Sequence, residues 1–381
     1  MQLLNSLTLP LANYSSNHLL DVLEDIASKV NIQANFCVHH PDYKPFKFPD
    51  EAILHFQRLP LNLQHKFLNS QLCNFLYSIY YNGAGRTALS LDADPIDSTM
   101  LQNLENNIYL GVDVEFYERL HLSNQGEGYF DPGWQVLREE SDDIDNELGL
   151  STLAVQKGAL TVYVERERHL QDTEQNAIAG DMVAIKMPPN LVQNGFYMAV
   201  GNAGVSNRTH AGINSQLVRV YFNLSPEGAV AVMGSLTEKL NTIFIPFTFK
   251  ALYNPSDYGR YDTAVLYFEK SNYPVIRQGL QSVYAEHKSY FRKELPLFTK
   301  LLAPGLALAE EPDNKFSEKE SFGLNRCQIV TNSLLEAWQQ GDESKENRMA
   351  LMFKHFTHQG IELQHPYLNS HSEDIYVPLE S

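Results

Sequence analysis

The sequence predicts an α+β fold, with an N-terminal helical region followed by a mostly antiparallel sheet domain flanked by helices. Three observations carry that expectation. Apolar residues in the first third recur at helical spacing, six later segments alternate with a period of two, and several connections between those segments are short. Short connections favour antiparallel neighbours, because parallel strands need a long crossover.

Taken in order, Leu19, Val22, Leu23, Ile26 and Val30 form one helical face behind the polar start Ser15-Ser16. Further helices are expected over 62–82 and 97–120. The stretch EESDDIDNELG (139–149) then places six carboxylates within nine residues; they repel one another and bury nothing, so it reads as a linker. The expected organisation is a helical N-terminal domain over 1–138, an acidic linker over 139–150 and an α+β domain over 151–381.

Strands are expected at LTVYVERE (160–167), MVAIKM (182–187), FYMAVG (196–201), LVRVYFNL (217–224), TIFIPFTF (242–249) and AVLYFE (264–269), all β-branched or aromatic. A helix interrupts them at 225–241, with Ser225 as its cap, Pro226 at its first position and Val230, Met233, Leu236 and Leu240 as its buried stripe. Later helices are expected over 273–293, 321–340 and 344–358, the second burying Leu324, Cys327, Leu334 and Trp338.

Composition excludes several function classes. With 29 Lys+Arg against 46 Asp+Glu the net charge is −17, the wrong sign for nonspecific nucleic-acid binding. No apolar run of membrane-spanning length occurs, so no membrane partner is expected. Cys37, Cys73 and Cys327 are odd in number and lack CxxC spacing, which suits a reducing compartment and a soluble, cytoplasmic protein. A bacterial effector with a noncleaved secretion signal would have the same composition.

GxSxG, HExxH and GxGxxG are missing, and NGAGRT (82–87) lacks the phosphate-loop spacing, so it reads as a turn. HHPD (39–42) is equally plain. His355 and His358 lie three apart without a recognisable third ligand and read as a surface pair. No metal or organic cofactor is expected.

What stands out is a set of cations and hydroxyls. Alternation in LVRVYFNL puts Arg219, Tyr221 and Asn223 on one sheet face and Val218, Val220 and Phe222 on the other. Lys186 ends one strand, Lys250 ends another, and Arg326 falls near a helix start whose free N–H groups favour an anion. ALYNPSDYGRYD (251–262) adds Tyr253, Tyr258 and Arg260 around an Asn254-Pro255 turn. A single Lys or Arg is most often a surface group. Several together, with tyrosine hydroxyls, predict an anion-binding cleft, since guanidinium holds phosphate by two parallel hydrogen bonds.

The stretches GDMVAIKMPPNLVQNGFYMAVGNAG, VRVYFNLSPEGAVAVM, FKALYNPSDYGRYDTAVLYF, LAPGLALAEEP, ESFGLNRCQI and HSEDIYVPLE resemble the HopA-one family of type III effectors, in a cyanobacterial-type version. The resemblance covers roughly 130–381. It also extends to the lyase partners of class V lanthipeptide kinases, and so implies a phosphoserine/phosphothreonine lyase: a partner kinase phosphorylates a precursor peptide, and this protein eliminates phosphate to leave a dehydroamino acid.

Such an elimination needs a base for the α-proton, donors for the enolate-like oxygen, and cations plus an acid for the departing phosphate. The residues expected to serve are Arg219, Arg260 and Arg326 for phosphate, supported by Tyr221 and Asn223, with Lys186 or Lys250 as base and His169 or Tyr253 as acid. Tyr253, Tyr258 and Arg260 would form the rim. Phosphothreonine lyases of pathogenic bacteria carry Lys-x-His on one strand, whereas here His169 and Lys186 lie on different segments. The alternative expectation is a noncatalytic effector or scaffold that binds a phosphorylated or acidic peptide or a kinase partner.

Overall fold

The computed structural model describes residues 11–33, 37–47, 50–92, 108–109, 111–140, 151–205 and 216–380. Two antiparallel sheets dominate an α+β architecture. The smaller is built from β1 (Tyr129–Glu140), β2 (Thr152–Lys157), β3 (Leu160–Glu165) and β4 (Met182–Met187), in the order β3-β2-β1-β4. The larger contains β5 (Asn190–Gln193), β6 (Phe196–Val200), β7 (Leu217–Phe222), β8 (Thr248–Leu252), β9 (Ala264–Glu269), β10 (Lys300–Ala303) and β11 (Leu306–Glu310), in the order β5-β6-β8-β9-β7-β11-β10.

Helices α1 (Leu11–Lys29), α2 (Leu61–Leu76), α3 (Val114–Ser123), α4 (Pro226–Thr242), α5 (Tyr273–His287), α6 (Phe322–Gln340) and α7 (Lys345–His358) accompany these sheets. A single wide turn, Tyr77–Tyr81, prolongs α2. The start of α4 follows from its sequence: Pro226 needs no N–H partner, and Ser225 Oγ accepts from the Gly228 N–H at 3.1 Å. Its stripe Met233, Leu236 and Leu240 is fully buried, with Val230 partly so.

One apolar core runs from the N-terminal helices into the large sheet, joining Leu23 and Phe75 to Phe222, Phe249 and Leu334. A second, smaller core of Trp134, Val136, Leu153, Val155, Val164 and Ile185 belongs to the small sheet. The boundary expected at 138 falls inside β1, whose partners β2 and β4 come later in the chain. Residues 141–150 of the expected linker lie outside the described residues, as does 97–107 of the expected helix; α3 occupies 114–123.

The strand expected at 242–249 is shifted. Phe244 adopts a left-handed backbone (φ 51°) just after α4, and Pro246 follows, so pairing begins only at Thr248. Among the described residues no helix is long and apolar enough to cross a membrane.

The C-terminal segment closes the far side of the large sheet. Glu310, 0% exposed, accepts through Oε1 from Lys270 Nζ, Ser372 Oγ and Tyr376 Oη, and through Oε2 from Gln216 Nε2 and the Asn369 N–H, all at 2.8 Å. Five donors replace the water that this carboxylate gives up, which is what permits its burial.

Candidate functional site

Residues directly opposite one another in antiparallel strands share a face. Arg219 lies opposite Tyr267, Tyr267 opposite Thr248, and Lys250 opposite both Met198 and Val265. Period two therefore sets Arg219, Tyr221, Tyr267, Lys250 and Met198 on one face, and Val218, Val220, Tyr197, Phe249 and Phe268 on the other. The second face is fully buried; over β6 it meets α3, where Asn124 Nδ2 donates to the Tyr197 hydroxyl at 3.1 Å.

The first face is divided. At Tyr221 it is closed: this ring, 3% exposed, stands edge-on to Tyr81 with centroids 6.4 Å apart and lies 6.4 Å from Phe322. Gly323 makes that approach possible, because a Cβ there would lie 2.3 Å from the Tyr81 ring. From Arg219, whose side chain is 12% exposed, through Tyr267 and Lys250 to Met198 the face is only partly buried.

On this open stretch two cations share one ring. Arg219 Cζ lies 5.0 Å and Lys250 Nζ 5.4 Å from the centroid of Tyr267, and Lys250 Nζ is 4.3 Å from that of Phe196. Aromatic faces attract a cation without neutralising it. Among the described residues Lys250 has neither a hydrogen bond nor a carboxylate partner. Arg219 is anchored through Nε to Glu311 Oε2, which leaves its two terminal nitrogens without a partner among the described residues.

Glu311, 5% exposed, also pairs with Lys315. Burial opposes the charge on Arg219, but Tyr267, Tyr221 and Glu311 beside it outweigh that and hold its pKa well above the ordinary arginine value. Burial likewise opposes the Glu311 carboxylate, and the attraction of Arg219 and Lys315 outweighs it, so its pKa lies below the usual glutamate value.

The other sequence-selected residues have different employment. Arg260 is paired with Asp262, Nη2 donating to Oδ2 at 2.8 Å, and Asp262 also receives the Tyr77 hydroxyl at 3.5 Å. Tyr77 stacks on Tyr81 at 4.9 Å, so Arg260 borders the same aromatic cluster as Arg219 from the other side.

Arg326 requires correction. It is 1% exposed, and Nε, Nη1 and Nη2 donate to the Pro366 carbonyl (2.8 Å), Asn325 Oδ1 (2.6 Å) and the Leu368 carbonyl (2.9 Å). Burial lowers its pKa to about 10. It fastens the C-terminal segment, and with all three nitrogens engaged and the group buried it is not presented to a phosphate. The three arginines thus border one cluster of tyrosines and Phe322, over whose ring Arg326 lies at 4.8 Å, without opening onto one pocket.

Tyr221 and Asn223 are corrected for a similar reason. Burial pushes the Tyr221 hydroxyl well above the ordinary phenol value, and that hydroxyl, near Tyr81 but outside hydrogen-bonding geometry, has no partner. Asn223, 1% exposed, donates from Nδ2 to the Glu294 carbonyl at 3.0 Å. Tyr253 Oη accepts from the Gly195 N–H at 2.8 Å and Tyr258 Oη donates to the Leu252 carbonyl at 2.8 Å, so the 251–262 stretch stitches loops together and forms no rim. Lys186 is exposed on β4 of the small sheet, and His169, in the short helix Arg166–His169 that follows β3, accepts at Nδ1 from the Glu165 N–H at 3.0 Å; neither lies on the strands that carry Arg219 and Lys250.

Sequence reasoning missed Tyr267, Phe196 and Glu311. Alternation in AVLYFE marks Tyr267 as one of a set, but only the pairing of β9 between β8 and β7 sets it between two cations. A cavity of about 360 Å³ lined by Lys293, Leu297, Phe298 and Tyr367 lies elsewhere and includes none of these groups. His355 Nε2 sits 2.6 Å from Glu336 Oε2, and among the described residues no cluster of three or more His, Cys, Asp or Glu is arranged to hold a metal.

Comparison with known proteins adds three findings. The model of the HopA1 effector protein family matches residues 187–368. Among solved structures, the effector protein from Pseudomonas syringae pv. tomato strain DC3000 is similar at 14% identity and a TM-score of 0.37, covering 75% of this chain and 94% of that one. The effector protein from Pseudomonas syringae pv. syringae strain 61 gives 13% identity and a TM-score of 0.42, covering 93% and 98%. No functionally curated protein matches the sequence.

Proposed function

We propose that the chain, whose residues 187–368 match the model of the HopA1 effector protein family, is a phosphoserine/phosphothreonine lyase acting on a phosphorylated peptide supplied by a kinase. The observation that carries this reading is the pair of cations on Tyr267, one of them, Lys250, without a carboxylate partner among the described residues. On a body with a net charge of −17, a dianionic phosphate needs such a local exception.

The roles follow from the chemistry. The terminal nitrogens of Arg219 hold phosphate oxygens, and Glu311 fixes the guanidinium that presents them. Lys250, once its ammonium has given up a proton to solvent, removes the α-proton; the electron pair forms the Cα–Cβ double bond as the Cβ–O bond breaks; and phosphate leaves with a proton from the Tyr267 hydroxyl. The products are a dehydroamino acid and inorganic phosphate.

The test is to incubate the protein with phosphoserine and phosphothreonine peptides and follow the peptide mass. Loss of phosphoric acid supports the lyase. Binding with unchanged mass would replace it by the noncatalytic phosphopeptide scaffold.

A further inference from the structure

The open sheet face does not stop at Lys250. Met198 on β6 lies opposite Lys250 on β8, and Leu191 on β5 lies opposite Met198, so the three stand in one row across neighbouring strands. Phe196, two residues before Met198, shares that face. Leu191, Phe196 and Met198 are all half-exposed, whereas Tyr197 and Ala199 on the reverse face are fully buried.

The opposite flank differs. Beyond Arg219 the same face meets the buried Glu311 with its partner Lys315, and beside it the closed cluster of Tyr221, Tyr81 and Phe322. One side of the proposed phosphate position is therefore apolar and open, and the other is charged or closed.

We infer that the row Leu191–Met198 receives a large apolar side chain of the substrate, so that the peptide carries such a residue two positions from the phosphoresidue, on one side only. The inference rests on the lyase reading for where the phosphate lies. Charge complementarity fixes the occupant as a phosphopeptide, because the apolar row is continuous with the only described lysine of this face whose ammonium rests on aromatic rings alone. Spacing fixes the position. Neighbouring strands lie ~4.8 Å apart and alternate side chains of an extended peptide ~7 Å apart; in the row that starts at Lys250, Met198 is one strand away and Leu191 two, so from a phosphate held at Lys250 the second residue comes down between Met198 and Leu191.

The test uses fluorescein-labelled phosphoserine peptides with Leu or Asp at the second position on either side, measured by anisotropy for affinity and by mass for elimination. Leu on one side is expected to bind about tenfold more tightly than Asp, the order of discrimination an apolar contact supplies. Met198→Asp should remove that preference and Met198→Leu retain it, with circular dichroism confirming that both variants fold. Equal affinities, a preference on both sides, or a preference untouched by Met198→Asp would overturn the inference. A one-sided preference without elimination sinks the lyase and leaves this inference standing; elimination without preference does the reverse, and no binding of any phosphopeptide sinks both.

Discussion

The ammonium of Lys250 stands 4.3 Å from the centre of the Phe196 ring, held by an aromatic surface instead of a carboxylate. Such a group keeps its chemistry available, since no salt bridge has to break before it meets substrate. Lys250→Met, which preserves the aliphatic stem, should lower elimination by at least about a hundredfold, the usual worth of a positioned base, and weaken peptide binding far less. Lys250→Arg should retain binding and stay inactive. Initial rates by mass spectrometry, set beside anisotropy, separate the two effects.

Tyr267 contributes a ring and a hydroxyl, and they can be told apart. Tyr267→Phe keeps both cation contacts and removes only the proton donor, so turnover should fall while the thermal unfolding midpoint holds. Tyr267→Leu removes the surface on which Arg219 and Lys250 rest, and should lower both.

Glu311 is buried between Arg219 and Lys315, and removing one partner of a buried ion pair leaves an uncompensated charge. Glu311→Ala should cost about 3–5 kcal/mol in urea unfolding. Its pH dependence has a definite sign. A carboxyl whose folded pKa lies below its unfolded value stabilises above the ordinary value of 4.5, and that contribution is lost as pH falls from there through the folded pKa. Stability of the native protein should therefore fall below pH 4.5 more steeply than that of Glu311→Gln.

All three thiols are buried, and burial pushes Cys73 up to about 12 and Cys327 well above the ordinary thiol value. The native protein should resist alkylation by iodoacetamide at neutral pH, and all three cysteines should label once it is unfolded in urea. Intact-mass measurement before and after denaturation checks this.

At Gly323 an added methyl would meet the face of the buried Tyr81 ring. Gly323→Ala should destabilise by about 1–3 kcal/mol through overpacking, despite the better helix propensity of alanine. Tyr81→Leu in the same chain should recover part of the loss, which a double-mutant comparison of urea midpoints would reveal.

Much of the fold is legible in the sequence because it depends on local rules. Ser225 and Pro226 announce α4, and the alternation of Val218, Val220 and Phe222 identifies the buried side of β7. The site is less legible because it depends on register. Arg219 and Tyr221 share a face by alternation, yet Tyr81 and Phe322, both distant in sequence, cover one and leave the other open. Nothing in the stretch around Arg326 distinguishes an anion ligand from an anchor for residues 366–368; only the carbonyls that meet it do. Lys186 and Lys250 look alike as strand residues, and different sheets separate them.

The arrangement around Glu310 sets a limit on how this protein can be shortened. The family match ends at residue 368, but Asn369, Ser372 and Tyr376 supply three of the five groups that satisfy a carboxylate lying within it. A fragment cut at that border would strand a negative charge inside the sheet, and its failure to fold would be an error of excision, with no bearing on whether the matched segment carries the activity.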